Sequence, residues 1–353
     1  MIGDDDIRAA VAAGIVTEAQ AANLCSLADS RRGARENLTP GDEPFELFRG
    51  FNEIFIVVGL LILSSGWVAV NAAIATDQIV DVRAHAMSMA GIAAVVLWLL
   101  GAYFIRRRRM VAPAIALTLL FFANAVSGFT AALSQPFMVA QDEYSSLPWP
   151  FLLSTLALWA FWWWFRVPFA LAIIAMGLFT VAILLAATAA GSPDSLDALF
   201  LLSAGGPFAW ITLALGFAVF VVAMRFDMSD PHRVTRRAAN GFWLHLVAAP
   251  ALVNTLALSL LDAGTALSHA TLVLVLTVIA LVAIVIDRRS FLMAAVGYSV
   301  ALALTVLGGD GAPVTILSLG VVLLMLGAFW ERIRARLLRL LPFLPLDRLP
   351  PSG

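Results

Sequence analysis

Ten apolar runs, each close to the length that crosses a bilayer, follow one another between residues 54 and 330. They cover about 54–75, 84–105, 111–133, 149–165, 167–190, 198–223, 241–261, 266–286, 291–308 and 312–330. A spanning helix needs roughly 20 apolar residues, and lipid offers no partner to an unpaired backbone N–H or C=O. The fold class expected is therefore all-α: a polytopic helical membrane protein of about ten transmembrane helices with a small N-terminal cytoplasmic helical module. Charge agrees, since only 13% of residues are charged and 61% are hydrophobic, against about 25% charged in a soluble domain.

The basic residues test this count independently of hydropathy. All 22 are arginine. With the N-terminus inside and the runs alternating, five arginines precede the first run and five follow the tenth. Arg106–Arg109, Arg166, Arg225, Arg233, Arg236, Arg237, Arg288 and Arg289 fall in the inside loops, and only Arg83 lies outside. Arginine that stays cytoplasmic sets orientation, so both ends are expected in the cytoplasm. Trp149 and Trp162–Trp164 would mark the two interfaces of the fourth run, and Trp243 and Trp330 two further inner ends, because amphipathic rings favour the headgroup level.

Three regions follow: residues 1–50 as a cytoplasmic helical module, 51–330 as the transmembrane domain and 331–353 as a basic amphipathic cytoplasmic tail. In the module, Asp4-Asp5-Asp6 starts one helix and Gly14 ends it. Thr17 with Gln20 three residues on is a capping-box pattern for a second. Ala21, Leu24, Cys25 and Ala28 make its apolar face. Asp42, Glu43 and Pro44 suggest a third helix carrying Phe45, Phe48 and Phe51 into the first span. No apolar core of a cleavable leader is visible, so the run at Ile54 would serve as a signal-anchor. In the tail, Ile333, Leu337, Leu340 and Leu341 share one helical face and Arg332, Arg336 and Arg339 the opposite one. Those arginines are the expected contacts for anionic lipid headgroups at the cytoplasmic face.

Within the membrane, Asn124 of the third run and Asn254 of the seventh must find hydrogen-bond partners. Ser127 lies on the face of Asn124, and Pro250 should kink the helix four residues before Asn254. These four residues form the candidate intramembrane polar site, either as inter-helix glue or as part of a solute path. Gly205-Gly206-Pro207 interrupts the sixth run, a feature transporters also use. Glu53 at the start of the first run is a candidate interfacial acid, reaching water or pairing with Arg49 one turn back. His245 reads as interfacial, and by helical rotation it lies opposite Asn254.

Other chemistry finds no support in the sequence. One cysteine, Cys25, makes neither an internal disulfide nor a cysteine-based zinc site. The four histidines lack metal-site spacing, and no P-loop, dinucleotide fingerprint or nucleophile elbow is present. No cofactor, catalytic residue or metal ligand is expected, and nothing suggests nucleic acid as a partner.

The segment Ala13-Gly14-Ile15-Val16-Thr17-Glu18-Ala19-Gln20-Ala21, ahead of a string of spans, resembles the start of a family of uncharacterised bacterial multi-span membrane proteins. Their opening helical hairpin has the form G-I-[hydrophobic]-[S/T]-x-x-[Q/E]-A. The resemblance covers about ten residues. It implies a bacterial cytoplasmic membrane and transfers no functional residue.

Three classes of function remain open at this point. One is a non-enzymatic inner-membrane protein in sensing, assembly or envelope maintenance, its N-terminal module docking a partner. The second is a permease for a small or apolar solute. The third is an enzyme acting on lipid or envelope precursors, for which no acid, base or metal can be named.

Overall fold

A computed structural model describes residues 4–31, 51–77, 81–135, 138, 144–192, 196–233, 235–288, 300, 317–318, 320–321, 324–341 and 349. Among the described residues every regular element is helical. The chain divides into two compact units, one of Phe45–Pro193 and one of Met1–Pro44 with Asp194–Gly353.

Residues near the N-terminus form α1 (Asp4–Ala12) and α2 (Glu18–Arg31). Gly14 takes a left-handed φ of 71° between them, a conformation that costs glycine little because it has no Cβ. Thr17 and Gln20 cap α2 reciprocally. The Thr17 N–H donates to Gln20 Oε1 at 3.0 Å, and the Gln20 N–H donates to Thr17 Oγ1 at 3.2 Å. Ala21 and Ala22 are buried, whereas Leu24 of the expected apolar face is exposed. The helix expected from Asp42, Glu43 and Pro44 lies outside the described residues.

The Phe45–Pro193 unit holds α3 (Phe51–Asp77), α4 (Val82–Gly101), α5 (Ala112–Leu133), α6 (Pro148–Phe165) and α7 (Pro168–Ala190), with a π-helical turn at Ala102–Arg107. Asp81 caps α4 by accepting from the N–H groups of Arg83 and Ala84. Proline stands in the first turn of α5, α6 and α7, where its missing N–H has no helical partner to lose. Arg166 ends α6 in a left-handed conformation, and its guanidinium lies over Trp162 and Trp163 at 5.3 and 4.5 Å. The core gathers Leu97, Leu117, Phe121, Leu158, Phe161 and Phe165.

The second unit holds α8 (Phe208–Met228), α9 (Arg236–Asp262) and α10 (Ala266–Ile286), with residues 324–340 also helical. Its core joins Ala248, Val253, Leu272, Leu276, Ile284 and Trp330. The apolar run expected at 198–223 is not one helix. Residues Leu196–Leu199 and Leu202–Ala204 are short 3-10 turns, Gly205 is left-handed, and α8 begins only after Pro207. The turns are held to α9: the Leu202 N–H donates to Ser259 Oγ at 2.9 Å, and Ser203 Oγ donates to Asp262 at 2.6 Å. At its other end α8 runs past Arg225 and Asp227, five residues beyond the expected limit, because Asp227 is satisfied inside the unit.

Seven described helices are long and apolar enough to cross a membrane: α3, α4 with its π-helical turn, α5, α7, α8, α9 and α10. The protein is thus a multi-pass helical membrane protein. The fourth expected run is the helix α6, 18 residues with five tryptophans and two prolines, which is not one of these seven. The ninth run, 291–308, lies outside the described residues except residue 300, and the tenth is described only in part, where it is helical.

Candidate functional site

The buried charged side chains of the second unit collect at one end, where α8 finishes, α9 begins and α10 finishes. The buried face of α8 is written in its spacing. Thr212, Gly216, Ala223 and Asp227 are all buried, at the separations that repeat on one side of a helix. On α9 the matching residues are Ala238, Gly241 and His245. Asp227 therefore enters the unit on the stripe that packs the two helices together.

Asp227 meets two cationic or donor side chains there. Arg288, just past α10 and 2% exposed, grips both carboxylate oxygens, with Nε 2.9 Å from Oδ2 and Nη2 2.5 Å from Oδ1. Its Nη2 also donates to the Ala238 carbonyl at 3.2 Å. His245, 0% exposed, places Nε2 2.9 Å from Asp227 Oδ2. A carboxylate clasped by arginine only accepts, so His245 donates. The Phe220 ring stands edge-on to the imidazole, centroids 5.5 Å apart. Gly241 makes the approach possible, since a methyl there would lie 2.1 Å from Asp227 Oδ1.

A second carboxylate organises the neighbouring layer. Asp287 caps α10 in a left-handed conformation. Its Oδ2 pairs with Arg233 Nη1 at 2.9 Å, and its Oδ1 accepts from Trp330 Nε1 at 2.6 Å. Arg233 also donates to the Asp287 carbonyl, and Arg334 reaches the Val285 carbonyl. These arginines take up carbonyls that a helix C-terminus leaves unpaired. In the loop between α8 and α9, buried Asp230 accepts from the Thr235 N–H and Oγ1 at 2.8 and 2.6 Å. Asp227, Asp230 and Asp287 thus face Arg233, Arg288 and Arg334, three acids against three arginines. Burial pushes the Arg288 guanidinium down to about 9, which still leaves it charged at neutral pH. Burial also lowers Arg334, while Asp287 pulls it back up.

The residues singled out from sequence fall in different places. Asn124 donates to the Ala90 carbonyl of α4 at 3.0 Å. One turn on, a methyl at Gly128 would lie 2.8 Å from Ala90 Cβ, so this is a close helix crossing held by an amide. Ser127 is exposed. Asn254 is half-buried and Pro250 exposed on a continuous α9. Asn124 and Ser127 belong to one unit, Pro250 and Asn254 to the other.

Glu53 is not at the water boundary as expected. It is 5% exposed and turned onto the start of α5, where its carboxylate accepts from the N–H groups of Val111 and Ala112 at 3.4 and 3.0 Å. An acid at a helix N-terminus meets its unpaired donors and the positive end of its dipole. Arg49 lies outside the described residues. His245 is fully buried among the helices.

In the tail, Arg332, Arg336 and Arg339 are exposed as expected. Ile333 and Leu337 of the expected apolar face pack against the core, but the most buried residues of this helix are Trp330, Arg334 and Leu338, and Leu340 is exposed. Among the described residues no group of three or more His, Cys, Asp or Glu side chains could hold a metal ion.

Sequence reasoning missed Asp227 and counted Arg288 only as an orientation charge. The signal was the Gly216–Ala223–Asp227 spacing, which carries the small-residue face of α8 through to an acid. Compared with protein-family models, curated proteins and solved structures, the chain has no match.

Proposed function

We propose that this is a non-enzymatic multi-pass protein of the bacterial cytoplasmic membrane, acting in sensing, assembly or envelope maintenance. The observation that carries this reading is the closed seam between α8 and α9. A methyl at Gly216 would lie 2.9 Å from Ala251 Cβ and 3.3 Å from Leu252 Cγ. That is the depth of Pro250 and Asn254, where a permease built on those residues needs space. Below it, Asp227, His245 and Arg288 bond one another, which ties three helix ends together.

In this reading the chain crosses the membrane about ten times with both termini in the cytoplasm, as the arginine placement supports. Residues 1–50 are the docking module for a protein partner, in keeping with the resemblance of their hairpin to the bacterial family. The exposed Arg332, Arg336 and Arg339 face anionic headgroups.

Two measurements test it. Reporter fusions at the two termini should both read cytoplasmic. The purified protein in liposomes should release no ions, amino acids, sugars or nucleosides faster than empty liposomes. Catalysed release that disappears in Asn124→Leu with Asn254→Leu would replace this reading with the permease.

A further inference from the structure

The acids at the charged end of the second unit are almost all consumed inside it. Asp227, Asp230 and Asp287 are held by Arg233, Arg288, Arg334, His245, Thr235 and Trp330. What this end shows outward is different. Arg225 on α8, Arg236 and Arg237 in the first turn of α9, and Arg332, Arg336 and Arg339 on the 324–340 helix are exposed. Glu331 is the one exposed acid among the described residues of the last turn of α8, the first turn of α9 and the 324–340 helix. Each of these arginines lies within a turn or two of a member of the buried cluster, so the cluster holds their three backbones at a common end.

Two features identify what such a rim meets. Arg237 is exposed in the first turn of α9, and that turn carries no acid. The rim also borders lipid-facing apolar surface. Val221 and Val222 are exposed one turn before Arg225, and Leu340 is exposed beside Arg339. A long arginine side chain at such a boundary lays its stem on apolar surface and its head among phosphates.

We propose that Arg225, Arg237, Arg332, Arg336 and Arg339 form one composite surface, drawn from three helices, that binds the phosphodiester headgroups of anionic phospholipids. This deepens the reading above, which placed headgroups on the tail alone, and it rests on that reading for the leaflet it faces. The buried ion-pair cluster is the scaffold that brings the tail arginines beside those of α8 and α9.

The test uses the purified full-length protein in detergent, titrated with phosphatidylglycerol, phosphatidylcholine or inorganic phosphate while its melting temperature is followed. Phosphatidylglycerol should raise the melting point, and the other two should not. Arg225→Gln with Arg237→Gln, and separately Arg332→Gln with Arg336→Gln and Arg339→Gln, should each weaken the response, by about fivefold in lipid concentration per arginine removed. The same five positions changed to lysine should keep most of it.

Equal shifts with phosphatidylcholine would overturn the proposal, as would a lysine variant that behaves like the glutamine ones. A shift reproduced by inorganic phosphate would replace the lipid by a free anion. A wild-type response from the Arg225 and Arg237 variant would confine binding to the tail and sink the composite surface. The fusion reporters are read separately: charged ends found outside, with lipid binding intact, would sink the orientation and leave the surface standing.

Discussion

Arg288 clasps Asp227 with two parallel hydrogen bonds, Nε to Oδ2 at 2.9 Å and Nη2 to Oδ1 at 2.5 Å. The two residues lie 61 positions apart in the chain, on segments that meet only because α8 and α10 finish at the same end of their unit. A buried pair of this kind adds little net stability, because desolvation of both charges offsets their attraction. Its effect is to specify which helix ends come together.

Breaking the pair one-sidedly should therefore cost more than removing it. Arg288→Met should destabilise the protein by about 3–5 kcal/mol, because Asp227 is left buried with its charge uncompensated. Arg288→Met combined with Asp227→Leu should be less destabilised than the two single changes summed. A double-mutant cycle in denaturant-melting experiments checks this, and additive losses would show that the two side chains are not coupled.

Gly241→Ala should be far more damaging than Gly59→Ala. The added methyl at 241 meets Asp227 Oδ1 at 2.1 Å, whereas nothing lies within 4 Å at 59. The first should lower the melting temperature clearly. The second should leave it unchanged or raise it by up to about 1 kcal/mol equivalent, the helix-propensity gain of alanine over glycine. Paired thermal melts of the two variants decide the matter.

Glu53→Ala should loosen the start of α5 by about 0.5–2 kcal/mol, the range for a lost N-terminal cap. Glu53→Gln should cost less, since an amide oxygen still accepts from Val111 and Ala112. Hydrogen exchange at the first amides of α5 is the direct readout: faster exchange there in the alanine variant, with α7 unchanged, is expected.

Trp330→Phe keeps most of the ring and removes the donor to Asp287 Oδ1. The expected cost is about 1–3 kcal/mol for a buried carboxylate that loses one partner. Arg233 should hold Asp287 in its place, so the loss should deepen when Arg233→Leu is added. Melting curves of the single and double variants would expose a Trp330 that contributes by packing alone.

Asn124→Leu removes the amide that bonds the Ala90 carbonyl and should cost about 0.6 kcal/mol, typical of polar contacts between membrane helices. A steric-trap or unfolding-equilibrium measurement in lipid can resolve it. A cost several times larger would mark a role beyond joining α4 to α5.

Much of the fold was legible in the sequence because its causes are local. A run of about 20 apolar residues dictates a spanning helix wherever it stands, since lipid accepts no unpaired backbone. Thr17 with Gln20 caps a helix through atoms three residues apart, and both bonds are present. Where a local breaker competed with an apolar run, hydropathy misled. Gly205-Gly206-Pro207 broke the sixth run, and α8 started ten residues later than its first apolar residue.

The site was not legible, for a different reason. Asp227, His245 and Arg288 sit in segments that each look like the watery end of a helix, among arginines that read as a solvated loop. The Gly216–Ala223–Asp227 spacing hints at a buried acid, but nothing along α8 names Arg288 as its partner. The same holds for Glu53, whose partners are the amides of Val111 and Ala112, and for Arg334, which its own helix could present to water or to α10. The sequence by itself determined that the described spans are helical and where arginine stands along the chain, because burial in lipid and backbone satisfaction act on each segment alone. Only the tertiary structure decided which charges are inside, because a buried ion pair exists through a partner that packing brings from elsewhere in the chain.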